Sequence, residues 1–417
     1  MVTARYQVQK PDDVLPWTAD LTRDQTQRPH LTDPFMNTKV AWDSEFYLSI
    51  ALHGYDDPLV RSVPPQPNAH PPYNRPLSLN YAFFPVYPYL MRLLAIPLRL
   101  LGLNATATTT LAGVLISLLG SLAGMVALYD LTQQNSSRQD VTQTAQITQL
   151  DRLSSTPQTN TNHATGLRSA FYLISFPTSF FLAQVYTEGL FIGLSFSCLA
   201  LVQRKQWIAA GIAAAVATLT RAVGVGLLLP LLWAWCRFHF SSDPAKPARR
   251  AVLQSLRYWL QTIALFSPLL MHLGWKFSFQ GQAFQIVEES FFRCTLFNLS
   301  EAVPAWQRAF FALFENHSAA VVHSATEFSA ILIGIISCLL TFKRYPAVSL
   351  YGLLILTAST TCGTAWSISR YILTIPSMFL VLSRLGQSIL FDRLWCLLSI
   401  LTMAMLAALF SFNFWVG

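Results

Sequence analysis

The sequence is poor in charge. Only 12% of its 417 residues are Asp, Glu, Lys or Arg, against 53% hydrophobic. That shortage excludes the two or three soluble domains that length alone would allow. The apolar residues form uninterrupted runs near the roughly 20 residues that cross a bilayer, and mean hydropathy is +0.40. Cysteine is scarce too. Cys198, Cys236, Cys294, Cys338, Cys362 and Cys396 show no C-x-x-C or mixed Cys/His spacing, so nothing points to structural zinc. Most read as small apolar residues inside spans; only Cys294 and Cys362 fall in loops placed outside, where a disulfide stays open. G-x-G-x-x-G, a Walker P-loop and a sizeable soluble α/β domain are all missing, which argues against a nucleotide-sugar enzyme. His53 stands alone and reads as a packing or capping residue. No cofactor is implied, and a divalent metal has no support. The formal charge of +8 is not read as nucleic-acid binding, because in membrane proteins Lys and Arg collect in cytoplasmic loops.

What is present predicts an all-α, polytopic helical membrane protein. Residues 1–39 form a hydrophilic arm without the apolar core of a signal peptide. Residues 40–106 form an external loop and a juxtamembrane helix. Six prolines between Pro58 and Pro72 exclude a long helix in the loop. The stretch Tyr81–Leu103 holds Pro85, Pro88, Pro97, Arg92 and Arg99. It reads as an amphipathic interfacial helix whose arginines snorkel to headgroups. The multi-spanning domain covers 107–417. Its ten candidate spans are Ala107–Asp130, Ser169–Gln184, Thr187–Val202, Trp207–Leu219, Ala222–Phe238, Tyr258–Trp275, Thr326–Phe342, Ala347–Thr360, Tyr371–Leu385 and Leu394–Trp415. An initial span missing from the chain as written would make eleven. The polar stretch 132–168 reads as a disordered cytoplasmic insert.

Charge orients the spans. Alternate loops carry Arg138, Arg152, Arg168, Arg204, Lys205, Arg237, Lys246, Arg249, Arg250, Arg257, Lys343, Arg344, Arg384 and Arg393. The complementary loops carry only Arg221, Lys276, Arg293, Arg308 and Arg370. The richer side is expected to be cytoplasmic. The other face then holds Asp43 and Glu45, Tyr186-Thr187-Glu188, Thr220-Arg221, the Trp275–Glu327 segment and Ser369-Arg370-Tyr371.

Two acids in a loop at a membrane face suit chemistry there better than conduction through the middle. In V-A-W-D-S-E-F-Y-L-S-I-A-L-H-G-Y, Trp42, Phe46 and Tyr47 hold Asp43 and Glu45 beside the bilayer. In a strand the two acids share a face; in a helix only one points at a reacting hydroxyl. Glu188, at the start of an apolar run, is either an N-terminal acid favoured by the dipole or a substrate ligand. Arg221 marks a loop end or binds an anion. Arg370 is a headgroup anchor or, with the amides of the helix it opens, a phosphate site. Trp275, Gln282, Glu288, Glu289 and Arg293 have a mix that suits sugar recognition, although Glu288 and Glu289 read as surface acids.

Four short patterns occur in order: W-D-x-E with H-G-Y and Phe83-Phe84-Pro85-x-Tyr87-Pro88; Tyr186-Thr187-Glu188-Gly189-Leu190-Phe191; Thr220-Arg221-x-x-Gly224; and S-x-x-R-Y at Arg370-Tyr371. Together they resemble the GPI mannosyltransferase II (PIG-V) family over Trp42 to about Tyr371. The family's T-R-S-N-G has Ala222 and Val223 here in place of its middle pair, which removes their hydrogen-bonding groups. The resemblance implies a GT-C-like, inverting glycosyltransferase with its site at the outer membrane face. It implies a mannose donor on polyprenyl or dolichyl phosphate, a lipid-linked (GPI-like) or other glycan acceptor, and contact with membrane lipids but no nucleic acid. Asp43 is then the expected base and Glu45 the second choice, with Arg370 and Arg221 on the donor phosphate and Trp42, Glu188 and Tyr371 in the substrate site. A bacterial plasma membrane is favoured over the endoplasmic reticulum. A transporter or flippase of a lipid-linked sugar is the alternative; it would place acids inside the spans.

Overall fold

The computed structural model describes residues 38–65, 70–144, 158–240, 256–315, 318–411, 414 and 416. Helix α1, Asp43–His53, stands where an irregular loop was expected. Its two acids lie in the first turn, which suits the positive end of the helix dipole. It stops at Gly54, whose φ of 94° is accessible to glycine without a Cβ clash. Beyond it, β1 (Ser62–Val63) pairs antiparallel with β2 (Leu77–Ser78). Helix α2, Val86–Leu98, buries Tyr87, Met91 and Ala95, one per turn. The guanidinium of Arg92 reaches back to α1. Its Nε donates to Ala51 O (2.8 Å) and its Nη2 to Ile50 O (2.9 Å). Ile50 O also accepts from Gly54 N–H (3.0 Å), so Arg92 adds to the C-terminal cap of α1.

The remaining helices follow as α3 (Ala105–Thr144), α4 (Gln158–Ser175), α5 (Glu188–Gln203), α6 (Trp207–Thr218), α7 (Leu228–Phe240), α8 (Leu256–Phe277), α9 (Phe279–Val287), α10 (Leu299–Ala312), α11 (Ser318–Phe342), α12 (Pro346–Thr360), α13 (Ile368–Tyr371), α14 (Pro376–Leu385) and α15 (Ile389–Ser411). The stretch 132–168 is therefore helical at both ends rather than disordered. Its middle, 145–157, lies outside the described residues, as do 1–37 of the N-terminal arm. The segment after Trp275, expected as a long loop, is mostly helical through α9 and α10.

Among the described residues four stretches are long and apolar enough to cross a membrane: Ala105–Gln133, Ala222–Phe240, Ala320–Phe342 and Ile389–Ser411. The pair Ile368–Thr374 and Pro376–Leu385, bent by 82°, makes a fifth if counted as one broken span. The protein is an integral membrane protein, but ten to eleven full-length spans are not borne out. Prolines account for two differences. The run Ser169–Gln184 leaves the α-helix at Ser175, just before Pro177, and Tyr371–Leu385 breaks before Pro376. Helices α5, α6 and α12 are apolar but only 16, 12 and 15 residues long. At 1.5 Å per residue they reach roughly 18–24 Å, less than the ~30 Å hydrocarbon core.

Helices α3 and α5 cross with their backbones in close approach. A Cβ on Gly189 would sit 2.2 Å from Ser117 O, and one on Gly193 2.4 Å from Gly120 O. Only small residues let backbones approach this closely. One core, with Tyr172, Phe196, Tyr351 and Phe379, fills the space between helices. A second, with Phe46, Tyr47, Tyr55, Phe83 and Tyr87, lies under α1.

Candidate active site

The aromatic pattern after the first acids holds α1 in place. Phe46 stacks on Phe83 at 4.8 Å, and Tyr47 meets Phe83 and Tyr87 edge-on at 5.0 and 5.2 Å. Tyr87 OH reaches α3 through Ser117 Oγ (2.9 Å) and Gly113 O (3.0 Å). Ser117 Oγ in turn donates to Tyr186 O (2.8 Å), and Tyr186 OH donates to Ala41 O (3.1 Å). Val86 N–H bonds Leu219 O (3.2 Å). These contacts draw three of the four sequence patterns to one place.

Two arginines and two acids meet there. Arg370 Nη1 donates to Asp43 Oδ2 at 2.9 Å, across 327 residues of chain. Its Nε lies 3.4 Å from Glu188 Oε1, and Arg221 Nη1 reaches the same Oε1 at 2.5 Å. Formal charges therefore cancel. Tyr371 lies between the guanidiniums, its ring centre 4.9 Å from Arg221 Cζ and 5.4 Å from Arg370 Cζ. Phe181 and Tyr186 each put a ring 5.5 Å from Arg370 Cζ; such cation–π contacts suit desolvated arginines. The side chains of Glu188, Arg370 and Arg221 are 1%, 6% and 15% exposed, whereas Asp43 is 25% exposed. Asp43 is thus the member of the cluster that a substrate reaches most easily. Its Oδ1 makes no hydrogen bond to a described residue.

Of the residues singled out in the sequence, Asp43, Glu188, Arg221, Arg370 and Tyr371 come together. Glu45 does not. It is two residues on from Asp43 in a helix, hence on another face, and it is buried outside the ion pairs of both arginines. Trp42 precedes Asp43 with φ 58° and ψ −119°, a conformation costly for a residue with a Cβ, of order 1–3 kcal/mol. Its indole N–H donates to Phe414 O at 3.2 Å. The glycine of T-R-x-x-G is structural: a Cβ on Gly224 would lie 2.6 Å from the Ala217 carbonyl carbon.

Other residues read from the sequence lie apart from these ion pairs. Trp275 packs on Phe84 (5.2 Å), and Arg293 is exposed, outside the cluster. Glu289 is exposed and accepts from Gln285 Nε2. Glu288 is half-buried rather than a surface acid. Burial, with Cys362 and Asp43 nearby, pushes its carboxyl well above the usual carboxylate range. Thr295 N–H bonds Cys362 O, so the segments of Cys294 and Cys362 adjoin; both thiols are free. His53 is exposed at the end of α1, and among the described residues no group of three His, Cys, Asp or Glu is placed to hold a metal.

The amides that open α13 are already taken. Ile368 N–H and Ser369 N–H both donate to Glu327 Oε2, at 2.7 and 3.2 Å. The expected site of Arg370 plus free helix amides is therefore not available. Glu327 ended a segment in the sequence reading and was not itself singled out. Its signal was a lone acid in an otherwise apolar run.

No family profile matches the chain. Among curated proteins it is similar to GPI alpha-1,6-mannosyltransferase 2 of Cricetulus griseus, 29% identical over 258 residues, which cover 59% of this chain and 42% of that protein. The match thus spans less than half of the relative's length. Among solved structures, the Archaeoglobus fulgidus oligosaccharyltransferase overlaps with a TM-score of 0.43 at 15% identity, covering 81% of this chain and 45% of that one. ArnT from Cupriavidus metallidurans overlaps with a TM-score of 0.29 at 12% identity, covering 82% and 72%. Neither superposition is close enough to carry an argument. In sequence the chain is similar to GPI alpha-1,6-mannosyltransferase 2, in keeping with the family its four patterns resemble.

Proposed function

We propose that the protein is an integral-membrane glycosyltransferase. It transfers mannose from a polyprenyl- or dolichyl-phosphate donor to a lipid-linked or other glycan acceptor at the non-cytoplasmic face. The observation that carries this reading is the Asp43–Arg370 pair, in which an accessible carboxylate sits 2.9 Å from a buried guanidinium. Transfer needs a base at the acceptor hydroxyl and positive charge at the leaving phosphate. Asp43 Oδ1 accepts the acceptor proton as the acceptor oxygen bonds to the sugar's anomeric carbon. The bond from that carbon to the phosphate oxygen breaks on the opposite side, which inverts the centre. The departing phosphate is received by Arg370 and Arg221. Each guanidinium carries five N–H groups, and Nη2 of neither donates to a described residue, so donors remain for the phosphate. Glu188 offsets the charge of the two arginines before the donor arrives.

The sequence similarity supports the sugar and the reaction type; the donor lipid and the acceptor rest on the family resemblance. A transporter would place acids inside spans. Glu327 does lie in one, but it is occupied by internal hydrogen bonds, so transport gains no support.

The test is transfer from polyprenyl-phosphate mannose by purified protein. Asp43→Asn is expected to lower kcat about 10²–10⁴-fold, the usual contribution of a general base, with donor affinity little changed. Glu45→Gln should keep turnover. If Asp43→Asn turns over normally, Asp43 is not the base and the reading loses its main support.

A further inference from the structure

Glu327 is a buried acid that the proposed chemistry leaves unused, next to the turn that carries Arg370. It sits on α11, inside the stretch Ala320–Phe342, and is 1% exposed. An ionisable group there is expensive unless it is fully engaged. His323, one turn earlier on α11, interacts with it electrostatically, and its hydrogen bonds go to the turn that opens α13. Oε2 accepts from Ile368 N–H (2.7 Å) and Ser369 N–H (3.2 Å), and Oε1 accepts from Ser369 Oγ (3.2 Å). Arg370 is the next residue.

That turn needs holding. Ser367 has φ 68° and ψ 10°, the left-handed region that residues other than glycine rarely adopt. α13 is four residues long, and α14 departs from it at 82°. A single helical turn has little stability of its own. Across from Glu327, Thr178 Oγ1 donates to Ser369 O at 3.1 Å, so the turn is gripped from two sides.

We propose that Glu327 is a positioning residue, which clamps the Ser367–Tyr371 turn so that Arg370 is held between Asp43 and Glu188. It occupies the Ile368 and Ser369 amides, which leaves the guanidinium of Arg370 as the anion ligand of this turn. The functional half of this inference rests on the reading of Arg370 as the donor-phosphate ligand.

Two measurements on full-length protein in nanodiscs test it. Hydrogen exchange over the peptide 364–374 should accelerate by about tenfold or more in Glu327→Ala, and less in Glu327→Gln, which keeps an acceptor but not the charge-assisted bonds. Exchange in α5 should stay as in the wild type. Equilibrium binding of polyprenyl phosphate should weaken about tenfold in Glu327→Gln. In an Arg370→Lys background the same change should add less than about twofold, because a residue acting only through Arg370 cannot be lost twice. A merely structural role gives additive losses instead. Unchanged exchange over 364–374, or additive effects on binding, overturns the proposal. If Arg370→Lys alone leaves binding unchanged, the donor-phosphate reading fails, and with it the functional half of this inference. The exchange result still decides whether Glu327 holds the turn.

Discussion

Asp43 and Glu45 show how little separates a reactive acid from a buried one. Two residues apart on α1, they occupy different environments because a helix turns about 100° per residue. Glu288 supplies a third acid, from a distant segment, whose charge is suppressed by burial. The sign of its effect on stability follows from linkage. Its carboxyl titrates near 4.5 when free and well above that when folded, so the folded state holds the proton longer. Stability contributed by Glu288 is therefore present below pH 4.5 and falls as pH rises toward the folded value. Glu288→Gln should remove that fall. Thermal unfolding of the purified variant should show a higher Tm than wild type at neutral pH, with the two curves converging in acid. A Tm gap that grows as pH is lowered would contradict the assignment.

Among the elements, the crossing of α3 and α5 decides where Glu188 stands. Gly189 and Gly193 meet Ser117 and Gly120 backbone to backbone, and Glu188 precedes the first of them. A branched side chain at the crossing forces the helices apart. Gly189→Val is expected to lower Tm strongly and to abolish transfer, since Glu188 and its bond to Arg221 move with α5. Gly274, with nothing within 4 Å of a built Cβ, is the control. Gly274→Ala should be neutral or stabilising by up to about 1 kcal/mol, the usual difference in a helix interior. Equal effects of the two changes would show that the close approach is not what seats α5.

For the molecule as a whole, the question is which way the site faces. Glu188 opens α5, and Arg204, paired with Asp130 at 2.5 Å, follows its other end. The 16-residue separation is about 24 Å along the helix. The site and Arg204 therefore lie at opposite ends of α5, and the charge rule would put the Arg204 end in the cytoplasm. In a background without the exposed Cys236, a cysteine at exposed Glu289 should react with an impermeant thiol reagent on intact cells, and one at Gln203 should not. The reverse pattern would turn the site inward.

Composition and order of residues sufficed for the membrane class, for the helical architecture and for five members of the cluster. These are local properties: apolar runs, a polar residue at the end of a run, and short patterns whose spacing survives any packing. The number of full crossings was not legible, because a 12-residue apolar helix and a span look alike until neighbours bury the shorter one. Nor was the helical state of Asp43–His53, which depends on Arg92 capping it from the next helix and on Phe83 and Tyr87 packing beneath it. Only the tertiary structure could pair Asp43 with Arg370, leave Glu45 outside that pair, and set Glu327 on the amides of α13. Each depends on groups tens to hundreds of residues apart, whose meeting is governed by helix crossings rather than by any spacing along the chain.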